Sequence, residues 1–150
     1  MNRSGTPDKK IAELLQRLED EHNSVRRAAV EALGKLGIQD SKVIEKIAQR
    51  LEDEHKWVRR AAVRALVKLG VRDSKVIEKI AQRLEDEHNS DVRLAAVRAI
   101  KELIKDRQIA IKFARYILDK LDNGEWELTS EVYEVLDYLV LRCGGEGHGG

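Results

Sequence analysis

One string of residues occurs twice in this sequence without a single change. It reads DSKVIEKIAQRLEDEH, at 40–55 and again at 73–88, and a shorter, altered copy, DKKIAELLQRLEDEH, ends at His22. The copies recur at a period of roughly 33 residues, a size that is typical of stacked repeats. In such a stack each unit buries its apolar face on its neighbour.

A second string follows each copy of the first. It is VRRAAVEALGKLG from Val25, VRRAAVRALVKLG from Val58, and VRLAAVRAIKELI from Val92. In both strings the apolar residues recur at helical spacing, so each unit is predicted to contain two helices. The leucines and isoleucines of the two helices should form the core, namely Leu33, Leu36, Ile47, Leu51, Leu66, Leu69, Ile80 and Leu84.

The boundaries of these helices are also marked. Asp40 and Asp73 precede the helices of the two identical strings and supply an oxygen that can cap a helix N-terminus. Gly37 and Gly70 follow the second helices of the first two units, where a glycine commonly ends a helix. The acidic segments between paired helices are predicted to be tight turns.

The pattern changes after Leu103. A longer helix is predicted up to the break at Asn123 and Gly124, and Thr129 can cap a last helix. The apolar faces of these two helices should be formed by Ile109, Phe113, Ile117, Leu121, Val132, Leu136, Leu139 and Val140. A terminal pair that departs from the repeat is expected to cover the last unit and to be polar on its outer side.

The predicted fold is an all-α, right-handed α-solenoid of about eight helices in four pairs, without strands. Residues 1–142 are predicted to form one domain. The sequence then divides into units at about 7–37, 40–70 and 73–105, a divergent helical cap at 106–142, in which Trp126 belongs to the core, and a flexible glycine-rich tail at 143–150.

Composition narrows the class of protein. With 42% hydrophobic residues the chain is too apolar to be disordered, and it has no run of roughly 20 apolar residues that could span a membrane. The first ten residues lack the apolar core of a signal peptide. The single cysteine, Cys143, allows no internal disulfide, and we assign it no role. We expect a cytoplasmic, monomeric protein.

Histidines recur with the period of the repeat, as His22, His55 and His88. A ladder of metal sites is one interpretation. Equivalent positions in neighbouring helical layers lie about 8–10 Å apart, whereas a zinc ligand lies about 2 Å from its metal. We therefore expect turn residues, with no metal and no cofactor.

Arginines and aspartates recur in the same way. Arg26, Arg59 and Arg93 follow the turn residues Asp20, Asp53 and Asp86. Anion binding is one interpretation of these arginines. A ladder of ion pairs between turns of neighbouring units is favoured, because strict periodicity fits a structural role, and exposed pairs of this kind contribute about 0–1 kcal/mol each.

The VRRAAVEALGKLG string, which follows an acidic turn and precedes another amphipathic helix, resembles the HEAT-like repeats of phycobilisome lyases. The resemblance covers residues 8 to about 105 and implies an α-solenoid that binds other proteins. Some members are enzymes: bilin lyases, deoxyhypusine hydroxylases and HEAT-like DNA glycosylases. The metal-binding His-Glu dipeptide of the hydroxylases is replaced here by Arg27-Ala28, Arg60-Ala61 and Leu94-Ala95, so that activity is not expected.

The resemblance further implies that the second helix of each unit lines a concave face. Positions 27, 30, 31 and 34 share one side of a helix because of their i, i+3, i+4, i+7 spacing. Valines and a leucine would line the base of a groove, and basic residues would border it. The predicted partner-binding residues are Arg27, Val30, Trp57, Arg60, Val63, Arg64, Val67, Leu94, Val97, Arg98 and Lys101.

The leading hypothesis is a non-catalytic module that binds an acidic or amphipathic segment of another protein in this groove. A second hypothesis is nucleic-acid binding, which a net charge of +5 over residues 1–107 favours and the 19 acids of the same region oppose. A third is a lyase-like partner of a bilin protein. A fourth is a designed repeat scaffold, because two units share an identical string.

Overall fold

The structure is a computed structural model that describes residues 5–85 and 89–144. These residues form eight α-helices with short 3₁₀ turns after the third and fifth, and they contain no strand, which confirms the all-α prediction. The helices are α1 (Gly5–Arg17), α2 (Asn23–Leu36), α3 (Ser41–Gln49), α4 (Lys56–Lys68), α5 (Ser74–Ala81), α6 (Ser90–Leu103), α7 (Arg107–Asp122) and α8 (Ser130–Gly144).

The chain divides into two compact units, Met1–Val71 and Arg72–Gly150. In the first unit, α2 packs against both α1 and α4, and α3 packs against α4. In the second unit, α6 packs against α5 and α8, and α7 packs against α8. Two statements remain predictions: that residues 1–142 form one domain, and that the α-solenoid is right-handed.

Helix boundaries follow the capping residues of the sequence. One carboxylate oxygen of Asp40 accepts hydrogen bonds from the Lys42 and Val43 N–H groups, at 2.7 and 3.2 Å, and Asp73 caps α5 in the same way. The Thr129 hydroxyl accepts from the Val132 N–H at 3.2 Å. Gly37, which ends α2, has a φ of 66°, in the left-handed region that glycine adopts without strain. The predicted tail begins later than expected, because α8 continues to Gly144.

The predicted core is confirmed at seven of its eight positions. Leu36 is 45% exposed, and the other seven are fully buried: Leu33, Ile47, Leu51, Leu66, Leu69, Ile80 and Leu84. The prediction that Leu36 belongs to the core was wrong; Leu36 is the last residue of α2. Trp126 is buried, as predicted, and meets the Tyr116 ring edge to face with 5.9 Å between the ring centres.

A buried ion pair holds the beginning of α2 to the turn of the second helix pair. The guanidinium of Arg26 donates two hydrogen bonds to the carboxylate of Asp53, at 2.8 and 2.9 Å, and its third nitrogen donates to the carbonyls of Asp20 and Glu21. The side chains of Arg26 and Asp53 are 7% and 2% exposed. The predicted ladder is thus confirmed at this step. The contribution to stability was expected to be that of an exposed ion pair. That expectation was wrong, because the Arg26–Asp53 pair is buried.

Arg59 repeats one of the contacts of Arg26: it donates to the carbonyl of Asp53 at 2.7 Å, as Arg26 donates to the carbonyl of Asp20. Asp86 and His88 lie outside the described residues. Arg93 pairs with Glu131 of α8 at 3.3 Å, so the cap supplies the carboxylate that a following repeat would supply.

The cap completes the second unit in two further ways. The hydroxyl of Tyr138 lies 2.7 and 2.9 Å from the carbonyls of Ile104 and Lys101, and can donate its hydrogen to either of these groups at the end of α6. Val132, Val135 and Leu139 of α8 are fully buried. The prediction of a polar outer side was wrong, because large apolar side chains are exposed on the cap: Leu118, Leu128, Tyr133, Val140 and Leu141.

Leu66→Ala should lower the free energy of unfolding by about 2–5 kcal/mol, because it opens a cavity beneath a fully buried side chain of α4. Urea denaturation measures this loss. Leu36→Ala is the matched control, and a small effect is expected there because the side chain is half in water. A loss below about 0.5 kcal/mol at Leu66 would contradict the assigned core.

Asp53→Asn should destabilise the protein by about 3–5 kcal/mol, because it leaves the Arg26 guanidinium buried beside a neutral group. Glu54→Gln serves as the control, since the Glu54 side chain is 89% exposed. Equal stabilities of the two variants would show that the pair is solvated in solution.

The effect of Asp53→Asn should also depend on pH. Burial raises the pKa of Asp53, but the Arg26 hydrogen bonds, the His55 N–H and the charge of Arg50 lower it more, so the pKa lies below its ordinary value of 3.8. A depressed pKa stabilises the folded state fully above about pH 3.8, and the contribution disappears as the pH falls through the folded-state pKa. The difference in unfolding free energy between the wild type and Asp53→Asn should therefore shrink below about pH 4. A constant difference down to about pH 2 would contradict the pairing.

A chain ending at Lys105 should aggregate or unfold at a much lower temperature, because it lacks the two helices that complete the second unit. Scanning calorimetry and light scattering measure both effects. Removal of residues 145–150, which follow α8, should leave the melting temperature unchanged. A soluble and equally stable truncation at Lys105 would contradict the assignment of 106–142 as a cap.

Candidate protein-binding surface

The predicted groove residues divide into buried and accessible groups. Val30 and Val63 are fully buried and Val97 is 2% exposed, so the prediction that they form an accessible base was wrong. These valines lie on the arc of each second helix that contacts neighbouring helices. Arg27, Arg64, Leu94 and Arg98 are exposed, and Trp57, Arg60, Val67 and Lys101 are half-buried.

The reason lies in the packing of α2. Its buried residues, Arg26, Ala29, Val30, Leu33 and Gly34, cover about 140° of the helix circumference, because α2 contacts α1 on one side and α4 on the other. The predicted stripe straddles the edge of this arc, with Val30 and Gly34 inside it and Arg27 and Glu31 outside it.

Gly34 brings α2 and α4 close together. A Cβ atom at this position would lie 2.9 Å from the Cβ of Ala65 and 3.1 Å from its Cα, inside van der Waals contact. Only a residue without a side chain fits this approach. Beside the contact lies a groove of about 250 Å³, lined by Glu31, Lys35, Ala61, Arg64, Ala65 and Lys68.

Near one end of these helices stands Trp57, half-buried and surrounded by cations. The charged groups of Arg27, Lys56 and Arg60 lie 5.9, 5.5 and 5.4 Å from the centre of its ring. His55 caps α4 by accepting the Trp57 N–H at 3.2 Å, which fixes the backbone that presents the ring. Cations at this distance from an aromatic face are attracted to it.

The charges of α2 and α4 form one surface, which we name the cationic face. Apart from Arg26 and Arg59, which bind the turns, it contains every charged residue of the two helices. An ion pair at 3.1 Å between Arg27 and Glu31 joins the Trp57 end to the groove. The face therefore has six positive charges and one negative charge, from Arg27, Glu31, Lys35, Lys56, Arg60, Arg64 and Lys68.

Three members of this face, Lys35, Lys56 and Lys68, were not predicted from the sequence. The signal that could have found the two on α4 is the four-residue spacing of Lys56, Arg60, Arg64 and Lys68. The second unit differs, since Leu94 and Arg98 are exposed on α6 but Lys101 is paired with Glu134 at 2.6 Å.

The predicted turn histidines are also placed. His22 lies beside Asp20, with Nδ1 3.0 Å from the carboxylate, and His55 caps α4. Within residues 5–85 and 89–144, no group of three His, Cys, Asp or Glu side chains could hold a metal ion. Nor is any helix of this part of the chain long and apolar enough to cross a membrane.

Comparison with known families decides the class of repeat. The family model for HEAT repeats matches residues 11–101. The chain belongs to the HEAT-repeat family. Its helix pairs are HEAT repeats stacked as in an α-solenoid, which confirms the predicted fold class and the helical-repeat scaffold. No curated protein matches the chain.

Two solved structures share this fold. The complex of CpcE and CpcF of phycocyanin lyase from Nostoc sp. PCC7120 is 23% identical, with a TM-score of 0.63 over 91% of this chain and 54% of that chain. The crystal structure of an engineered protein is 16% identical, with a TM-score of 0.60 over 90% of this chain and 62% of that chain. This HEAT-repeat chain therefore spans a little over half of the first and about three fifths of the second.

Proposed function

We propose that this HEAT-repeat chain is a non-catalytic interaction module that binds an acidic segment of another protein on its cationic face. The observation that carries the proposal is the imbalance of charge on α2 and α4, where six cations and one acid are accessible. The whole chain has a net charge of only +1, so the excess is local. A local field of one sign attracts and orients a segment of the opposite sign.

Trp57 is the best-placed anchor for such a segment. A tryptophan that is partly exposed and already ordered buries a large apolar area with little loss of conformational entropy, and residues of this type dominate many interfaces. The half-buried ring has its backbone fixed by the His55 cap and is flanked by Lys56 and Arg60. We propose that it contacts apolar groups of the partner while the cations bind carboxylates.

The two similar solved structures support different hypotheses. The solved CpcE and CpcF structure is a complex of two proteins, which supports a protein partner more than a nucleic acid. A lyase-like role toward a bilin protein is a narrower form of the same proposal. The likeness to an engineered protein supports the hypothesis of a designed repeat scaffold. That the module is cytoplasmic and monomeric, and that Leu94 and Arg98 of α6 extend its binding surface, also remain proposals.

Arg64→Glu should weaken binding of an acidic partner at least tenfold, about 1.4 kcal/mol, because it reverses a charge beside the groove. The unfolding free energy should change little, since the side chain is exposed. Titration calorimetry at two salt concentrations measures the affinity, which should fall as salt rises.

Lys42→Glu is the matched control, because Lys42 is an exposed cation on α3 and the same change of charge there should leave the affinity intact. Arg50 is a poorer control, since its guanidinium donates to the buried carboxylate of Asp53 at 3.1 Å. If Lys42→Glu weakens binding and Arg64→Glu does not, the partner binds the first helices and the proposal is wrong.

A further inference from the structure

The cations of α4 are regularly spaced. Lys56, Arg60, Arg64 and Lys68 follow one another at intervals of four residues. Because an α-helix rises about 1.5 Å per residue, successive members are separated by about 6 Å along the axis and the row is about 18 Å long. Each step also turns the row by about 40° around the helix.

None of these four cations forms an ion pair within the part of the chain that the structure describes. By contrast, Arg26 and Arg50 bind Asp53, and Lys101 binds Glu134. Four accessible cations at this spacing repel one another, and a ligand with carboxylates at the same spacing relieves that repulsion.

Apolar surface lies alongside the row. The ring of Trp57 lies beside Lys56 and Arg60, the first two cations of the row. Ala61 and Ala65 of α4 line the groove, together with Glu31 and Lys35 of α2. Ala61 and Ala65 are 6% and 3% exposed, so they form the floor of the groove beneath the charged side chains. The surface thus combines a narrow apolar strip with a flanking line of positive charge, the complement of an amphipathic segment.

We propose that the acidic segment is an amphipathic α-helix of about three turns, which crosses the groove between α2 and α4; this inference rests on the proposed function. Carboxylates at four-residue intervals on such a helix repeat the step of about 6 Å between successive cations, and the two rows lie side by side when the ligand crosses α4 at about 50°. Its adjacent apolar residues cover Trp57, Ala61 and Ala65, as in other complexes where a helix occupies a groove.

Hydrogen bonding of the ligand's main-chain groups favours a helical ligand over an extended one. The cationic face consists of two helices, whose main-chain groups are already bonded within each helix. An extended peptide would find no strand edge here and would depend on side chains and water to satisfy its N–H and C=O groups, whereas a helix satisfies its own.

Three synthetic peptides of identical composition, each long enough for three to four helical turns, test the proposal against the full chain. In the first, glutamates recur every fourth residue beside a face of leucine and alanine, with one proline at the terminus. In the second, the same residues are rearranged to distribute the glutamates around the helix. In the third, the proline is moved to the centre, where it breaks the helix. Titration calorimetry gives the affinities, and circular dichroism gives the helix content of each mixture.

The first peptide should bind at least tenfold more tightly than the other two and gain helix content on binding. Arg60→Glu should abolish most of this preference, and Lys42→Glu should preserve it. Equal binding of all three peptides would overturn the helical ligand while leaving the acidic-segment function intact. Binding of none of them would overturn both, and selective binding of a single-stranded RNA probe would then favour nucleic-acid binding.

Discussion

The pairing of Arg26 with Asp53 is the constraint on which the first unit depends. A buried guanidinium stays charged and is strongly destabilising without partners, and this one has its donors directed at one carboxylate and two carbonyls. Because Asp53 also accepts from the His55 N–H just before α4, the same carboxylate orients the beginning of that helix. A hydrophobic contact would tolerate sliding of α2 along the turn, but a bidentate ion pair does not. The register of α2 against α4 is therefore fixed electrostatically.

Fixed register explains why the cationic face has a definite pattern. With α2 held at its first turn by Arg26 and in its last turns by the close contact of Gly34 with Ala65, the exposed residues of the two helices are aligned along the groove. Glu31 and Lys35 of α2 then line the same groove as Arg64 and Lys68 of α4. The buried pair supplies rigidity, and the accessible cations are left to bind a partner. One residue type thus serves two roles in neighbouring positions of α2, buried at Arg26 and exposed at Arg27.

Much of the fold could be predicted from the sequence because its determinants are local. Capping by Asp40, termination at Gly37 and burial of Leu66 depend on residues within a turn or two. The solvent accessibility of individual side chains was harder to predict, as the buried Val30 and Val63 show. The i, i+3, i+4 spacing shows which residues share one side of a helix, but it does not show where the packed side ends. In a stack the second helix is packed on two sides, so the valines become core. That second contact joins residues a whole repeat apart, and no local pattern reveals it.

The distribution of differences between the repeats gives a further argument for where binding information resides. The first helices and turns at 40–55 and 73–88 are identical, so they cannot distinguish one repeat from another. The second helices differ mainly at accessible positions, where Trp57 replaces the serine of the preceding repeat and Arg64 replaces Glu31. Packing imposes little on such positions, whereas it holds Ala29 and Ala62 to the same small residue. Variation concentrated on the accessible side of otherwise repeated helices is what a repeat protein requires if one repeat is to present a particular surface while every repeat keeps a similar core.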